Sequence, residues 1–171
     1  MTSKRERTEL ADVVVLLREQ LEDTLQLGTH VQYAQARFRG RDRSVLNLLR
    51  SITLELWTLS KRIERRAAAC GGKRPSLRSA KAEPFLKSDE ERSLESLLNR
   101  FCRYARNTAE RLVAAQNGND RETVLLLDRI LSTANAGIWF LDVYSNAVWL
   151  RYRLSALPKW KPVLVSRQIA S

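Results

Sequence analysis

Between Ser44 and Gly72 the apolar residues Val45, Leu49, Ile52, Leu56, Leu59 and Ile63 recur in alternating steps of four and three. On a helix that spacing gathers them into one stripe of about seven turns, which other helices must cover. Leu46, Leu48, Leu54 and Trp57 lie off the stripe and call for further covered surface, while Arg50, Lys61, Arg62 and Arg65 make the remainder basic. Gly71 and Gly72 close the stretch, because glycine readily takes the left-handed conformation that ends helices.

The same periodicity appears three more times. A first helix is expected from Thr8 to about Arg37, with Leu10, Val14, Leu17, Leu21, Leu25, Gly28 and Val31 inward and Gly28 marking a close helix contact or bend. A third follows the capping sequence Ser88-Asp89-Glu90-Glu91 and carries Leu94, Leu98, Phe101, Ala105, Thr108, Leu112 and Ala115. After the turn Asn117 to Asp120, a fourth carries Thr123, Leu127, Ile130, Ala134, Gly137, Leu141, Tyr144 and Val148. The four prolines and six glycines fall mostly between these runs, so the chain reads as all-α. The Arg37 to Arg43 loop is short, whereas Lys73 to Lys87, with Pro75 and Pro84, is long enough to cross the length of a bundle. Two helical hairpins joined by one long crossover is the connectivity of a ferritin-like four-helix bundle. Residues 1–148 are assigned to it, with a short N-terminal arm, and residues 149–171 to a basic, aromatic C-terminal extension.

A net charge of +11 makes nucleic acid or an anionic membrane surface a more natural partner than a basic protein. The cations concentrate in three places: Lys4, Arg5 and Arg7 in the arm, Arg37, Arg39, Arg41 and Arg43 in the first loop, and Arg151, Arg153, Lys159, Lys161 and Arg167 in the extension. Trp149, Tyr152 and Trp160 lie among the last group, a mixture that meets phosphates and bases. The start of the chain lacks the apolar segment of a secretory signal and the apolar runs are broken by charge, so no membrane partner is expected. Cys70 and Cys102 read as buried or partly buried thiols in a reducing cytoplasm. A single histidine, no Gly-rich phosphate loop and no cysteine cluster argue against hydrolytic or zinc chemistry.

In its order of features the chain resembles the DNA-protecting miniature ferritins of starved bacteria, over roughly residues 8–145. The resemblance rests on His30 near the end of the first helix, LSKRIERRAAACGG at Leu59 to Gly72, GNDRETVLLLDRIL at Gly118 to Leu131 and IWFLDVY at Ile138 to Tyr144. It implies a hollow shell of about twelve subunits, and iron oxidation between two subunits, at two His from one first-helix region and an Asp and Glu four residues apart on the partner's second helix. Here His30 matches the first His, Asp42 stands where the second belongs, and the acid pair falls on Trp57 and Lys61 or on Lys61 and Arg65, depending on register. A cationic ammonium or guanidinium repels a metal ion and donates nothing to it. On this reading His30 looks across a dimer interface toward Lys61 and either Trp57 or Arg65. Glu64, Glu55 and Asp42 are the carboxylates a rearranged site would recruit, and no cofactor is expected at the family position. The stripe Glu19, Asp23, Gln26 and His30 reads as a dimer or solvent-facing surface.

The expected function is that of a nucleoid-associated, cytoplasmic, stress-protecting shell, a homo-oligomer and most readily a dodecamer, that binds double-stranded DNA without sequence preference and lacks ferroxidase activity at the family site. Beside it stand a structural or protein-interaction assembly that has lost DNA binding, and an iron-storing ferroxidase that retains His30 as residual metal ligand among rearranged donors.

Overall fold

The computed structural model of the chain describes the backbone of residues 4–39, 43–72 and 90–156, and the side chains of 12–39, 43–72 and 94–146. Four helices make up the described fold: α1 (Lys4–Phe38), α2 (Arg43–Ala69), α3 (Glu90–Asn117) and α4 (Arg121–Ala156). Helix α1 packs chiefly on α2 and α3 on α4, and the two hairpins meet along α1 and α3 and, more lightly, along α2 and α4. The crossover tract 73–89 lies outside the described residues.

Each periodic stripe becomes a wall of the core. Leu17, Val31, Leu49, Leu59, Ile63, Leu97, Leu127 and Ile130 are fully buried. At roughly 1.5–3 kcal/mol for each large apolar side chain removed from water, this burial is the main favourable contribution to the fold.

The two hairpin ends are terminated by the same geometry on different residues. At the end of α2, Gly72 N–H donates to Ala67 O at 2.9 Å and Gly71 N–H to Ala68 O at 3.0 Å, with Gly71 at φ +83°. At the end of α3, Asp120 N–H reaches Ala115 O at 3.2 Å and Asn119 N–H reaches Gln116 O at 3.0 Å. There Asn119, not its neighbour Gly118, takes the left-handed backbone, at φ 54°. Asp120 then caps α4 by accepting from Thr123 N–H at 3.2 Å, and ties it to α2 through Arg66 at 2.6 Å. Burial opposes the ionised Asp120 carboxylate, but hydrogen bonds from Thr123 and the Arg66 guanidinium outweigh it and hold the group below its ordinary range.

Two expectations are corrected here. Gly28 is not a close helix contact: a Cβ there would meet nothing within 4 Å. The close approach is at Gly137 on α4, where a Cβ would stand 2.6 Å from the buried Phe101 ring of α3. The second is that charge breaks every apolar run: the stretch Arg121–Asn146 is long and apolar enough to cross a membrane by length and composition alone, and 28% of its most apolar 18-residue window is buried in the bundle. Its inner stripe belongs to the core, while Leu125, Trp139, Phe140 and Val143 face outward.

Candidate functional site

The interior of a ferritin-like bundle is the first place to look for chemistry. Helix α1 contributes Gln20 and Thr24, and α3 contributes Tyr104 and Thr108, all buried. Gln20 Nε2 donates to Thr108 Oγ1 at 3.0 Å, Thr108 Oγ1 donates to Tyr104 O at 2.8 Å, and Thr24 Oγ1 donates to Gln20 O at 2.7 Å. With its own proton engaged, Thr24 Oγ1 accepts from the Tyr104 hydroxyl at 2.8 Å. Burial is the main reason the Tyr104 phenol is pushed up to about 12, against the lowering effect of its hydrogen bonds.

Arg111 closes this network toward solvent. Its Nη1 donates to Gln20 Oε1 at 2.9 Å and to Asp23 Oδ2 at 2.8 Å, and its Nε lies 3.6 Å from Glu19 Oε2. Asn107 Nδ2 adds a second bond to Asp23 Oδ2 at 3.0 Å. Glu19 and Asp23 are therefore held by α3 of the same chain. Asp23 and His30 of the stripe turn toward α3, while Glu19, at its edge beside Arg111, and Gln26 are exposed to solvent as expected.

His30 follows the same face inward. It is 4% exposed, beside a small cavity bounded by Asp23, Gln26, Arg100, Arg103, Tyr104 and Asn107. Two guanidinium groups on that wall oppose a metal cation, and the carboxylate there already bonds Arg111 and Asn107. Within one chain His30 and Lys61 lie on different sides of α1. The residues of α1 that share a groove with Trp57 and Lys61 are Leu25, Gly28, Thr29 and Gln32. Two residues along a helix is a rotation of about 200°, so when Gly28 lines that groove His30 points the other way.

The groove, about 150 Å³, has Thr53, Ser60 and Glu64 on its α2 side. Lys61 Nζ stands 4.6 Å from the Trp57 ring centroid and 3.4 Å from Glu64 Oε2. Glu64, 9% exposed, is thus the partner of a lysine within its own helix rather than a carboxylate awaiting a metal.

Ferritin-like dimetal centres draw a Glu from each of two helices and a Glu-x-x-His pair from each of the others. Among the described residues the buried polar positions are Gln20, Thr24, Ser60, Glu64, Tyr104, Thr108 and Thr123 with His30, the chain's one histidine. That donor set does not fit two metal ions. Among the described residues no three His, Cys, Asp or Glu side chains are grouped to hold one.

Of the cations expected to bind nucleic acid, Arg37 is half-buried, and Arg39 and Arg43 are exposed. The side chains of Lys4, Arg5, Arg7, Arg41, Arg151, Arg153, Lys159, Lys161 and Arg167 lie outside the described residues; Lys4, Arg5 and Arg7 belong to α1, and Arg151 and Arg153 to α4. Grouping by sequence adjacency missed how Arg43 combines with Arg50 and Arg65. All three are exposed, and steps of seven and fifteen residues set them on one outer face of α2, around Leu54 and Trp57. Helical spacing was the signal that could have found them.

No protein-family model matches this sequence, and no curated protein does either. Among solved structures, the bacterioferritin of Desulfovibrio desulfuricans, studied with its diiron site in different catalytic states, has a similar fold with a TM-score of 0.79. The match covers 90% of this chain and 91% of that one, at 12% sequence identity. The fold is therefore that of the ferritin-like four-helix bundles. At this identity the likeness establishes the architecture alone.

Proposed function

We propose that the chain is a divergent miniature ferritin that holds double-stranded DNA without regard to sequence, in the cytoplasm and on the nucleoid, and oxidises no iron at the family position. The observation that carries this reading is charge: +11 on the whole chain, with exposed Arg39, Arg43, Arg50 and Arg65 at the first loop and along one face of α2. Cations so placed release counterions from a duplex and read no bases. Assembly into a homo-oligomer, of twelve copies on the resemblance in the sequence, would multiply that charge. The sequence order from His30 to Tyr144 supports the shell; the uncharged layer of Gln20, Thr24, Tyr104 and Thr108 supports the loss of iron chemistry.

The test is fluorescence anisotropy on unrelated duplexes of equal length, at about 50 and about 200 mM salt. Binding should be similar across sequences and fall steeply with salt. Replacing Arg43, Arg50 and Arg65 by Gln, with particle size measured in parallel, should reduce the salt slope by up to about three if each meets a phosphate. No binding at the lower salt would sink the proposal. An iron-storing role is the second reading, favoured by the likeness to a diiron protein. The donors at Gln20, Thr24, Tyr104 and Thr108 weigh against it.

A further inference from the structure

Helix α4 is apolar on two opposite sides. Thr123, Leu127, Ile130, Ala134, Gly137 and Leu141 enter the core. On the outer side Leu125 and Trp139 are each 61% exposed, Val143 47% and Phe140 45%. Trp139 and Phe140 meet edge to face, with centroids 5.0 Å apart, so the patch has a fixed shape as well as area. Trp139, Phe140 and Val143 together leave roughly 300 Å² of contiguous apolar surface per copy in water, with Leu125 about 21 Å further along the helix.

We infer that this face is a self-association seam, on which α4 of a second copy lies antiparallel. The spacing selects a helix as the occupant. Ser132, Ala136, Trp139 and Val143 step by four, three and four, the repeat that seats one helix on another. Charge selects direction. A parallel pair would set Asp128, Arg129 and Asp142 beside their own copies, like against like. An antiparallel pair, with the two-fold near residues 140 and 141, brings Asp128 opposite position 153, an arginine, and exposed Asn135 opposite exposed Asn146. Same-flank positions face each other across such an axis, and both pairs share a flank of the stripe. Asp128 and Asp142 also argue against an anionic bilayer as the occupant, since headgroups would repel them. The seam stands whether or not the chain binds DNA.

Cross-linking reads the seam directly. In a Cys102→Ser background, Asn135→Cys and Asn146→Cys are placed in separate full-length preparations, both at exposed polar positions that the core does not use. Mild oxidation of the mixture should give a covalent dimer, while neither preparation alone does. A disulfide in each preparation alone signals parallel pairing and overturns the assignment, as does no disulfide in any. Trp139→Glu combined with Val143→Glu should weaken self-association at least tenfold by sedimentation equilibrium, with the helical signal unchanged. Unchanged association of that variant refutes the seam. So does wild-type binding to phosphatidylglycerol vesicles that the same variant abolishes, because lipid would then be what the face meets.

Discussion

Alanine at position 137 sets two effects of opposite sign against each other. In a helix interior Gly→Ala is favourable by about 1 kcal/mol, because alanine has less backbone freedom to lose. At Gly137 the added Cβ would sit 2.6 Å from Cε1, 3.0 Å from Cδ1 and 3.3 Å from Cζ of Phe101, and that ring is 1% exposed with nowhere to swing. Forcing volume into such a place costs about 1–3 kcal/mol. Gly28 receives the same substitution with nothing within 4 Å, so only the favourable effect operates. Gly137→Ala should therefore lie about 1–3 kcal/mol below Gly28→Ala, a separation of roughly 2–12 °C for a domain of this size. Thermal denaturation by far-ultraviolet circular dichroism, at one protein concentration with particle size checked, measures the difference. Adding Phe101→Leu to Gly137→Ala should recover part of the loss, because a smaller side chain vacates the overlap. Equal melting of the two alanine variants would refute the claim that α3 and α4 close on each other at this glycine.

Maleimide at neutral pH should label about one thiol per native chain, Cys102, because Cys70 is buried and burial pushes its thiol above the ordinary range against the influence of Arg66; peptide mapping decides. Asp120→Asn should cost about 1–2 kcal/mol at neutral pH by removing the charge that pairs with Arg66. A lowered carboxyl pKa contributes stability above the ordinary aspartate range that disappears as pH falls through the folded value, so the variant's melting temperature should depend less steeply on pH below about 4. Tyr104→Phe should cost about 1 kcal/mol in chemical denaturation, and the wild-type phenol should resist ultraviolet titration until about pH 12. Ferrous iron added to metal-free protein should consume oxygen no faster than in buffer; rapid, saturable oxidation lost in His30→Ala would contradict the reading of that cavity.

The architecture was legible because a helical stripe is written in spacing alone. Val45 to Ile63 repeats the helical period and becomes the α2 core wall, with Ile52 half-buried, and Gly71 ends the helix as glycine chemistry dictates. What spacing cannot convey is which neighbour a half-polar face meets. Asp23 and His30 share a face with Glu19, and from the sequence that face suited a partner subunit as well as a helix of the same chain. Only the placement of α3 beside α1 decides it. Asn107 and Arg111, one turn apart on α3, are the matching signal, but reading it requires knowing that the two helices run antiparallel in that register. The α4 outer patch was hidden differently: Trp139, Phe140 and Val143 stand together in the apolar run IWFLDVY, which does not mark which of its residues the core leaves out.

The buried network between α1 and α3 is held by neutral hydrogen-bonding groups with one guanidinium at its edge. Four carboxylates packed between helices repel one another and need a cation between them. In this chain neutral Gln20, Thr24, Tyr104 and Thr108 bond one another instead, and the cation is supplied covalently by Arg111, which reaches Gln20, Asp23 and Glu19 from the edge. A guanidinium with that many acceptors has its donors engaged by the chain's own side chains. Among the described residues the faces that the core leaves uncovered are the arginine-bearing side of α2 and the aromatic side of α4.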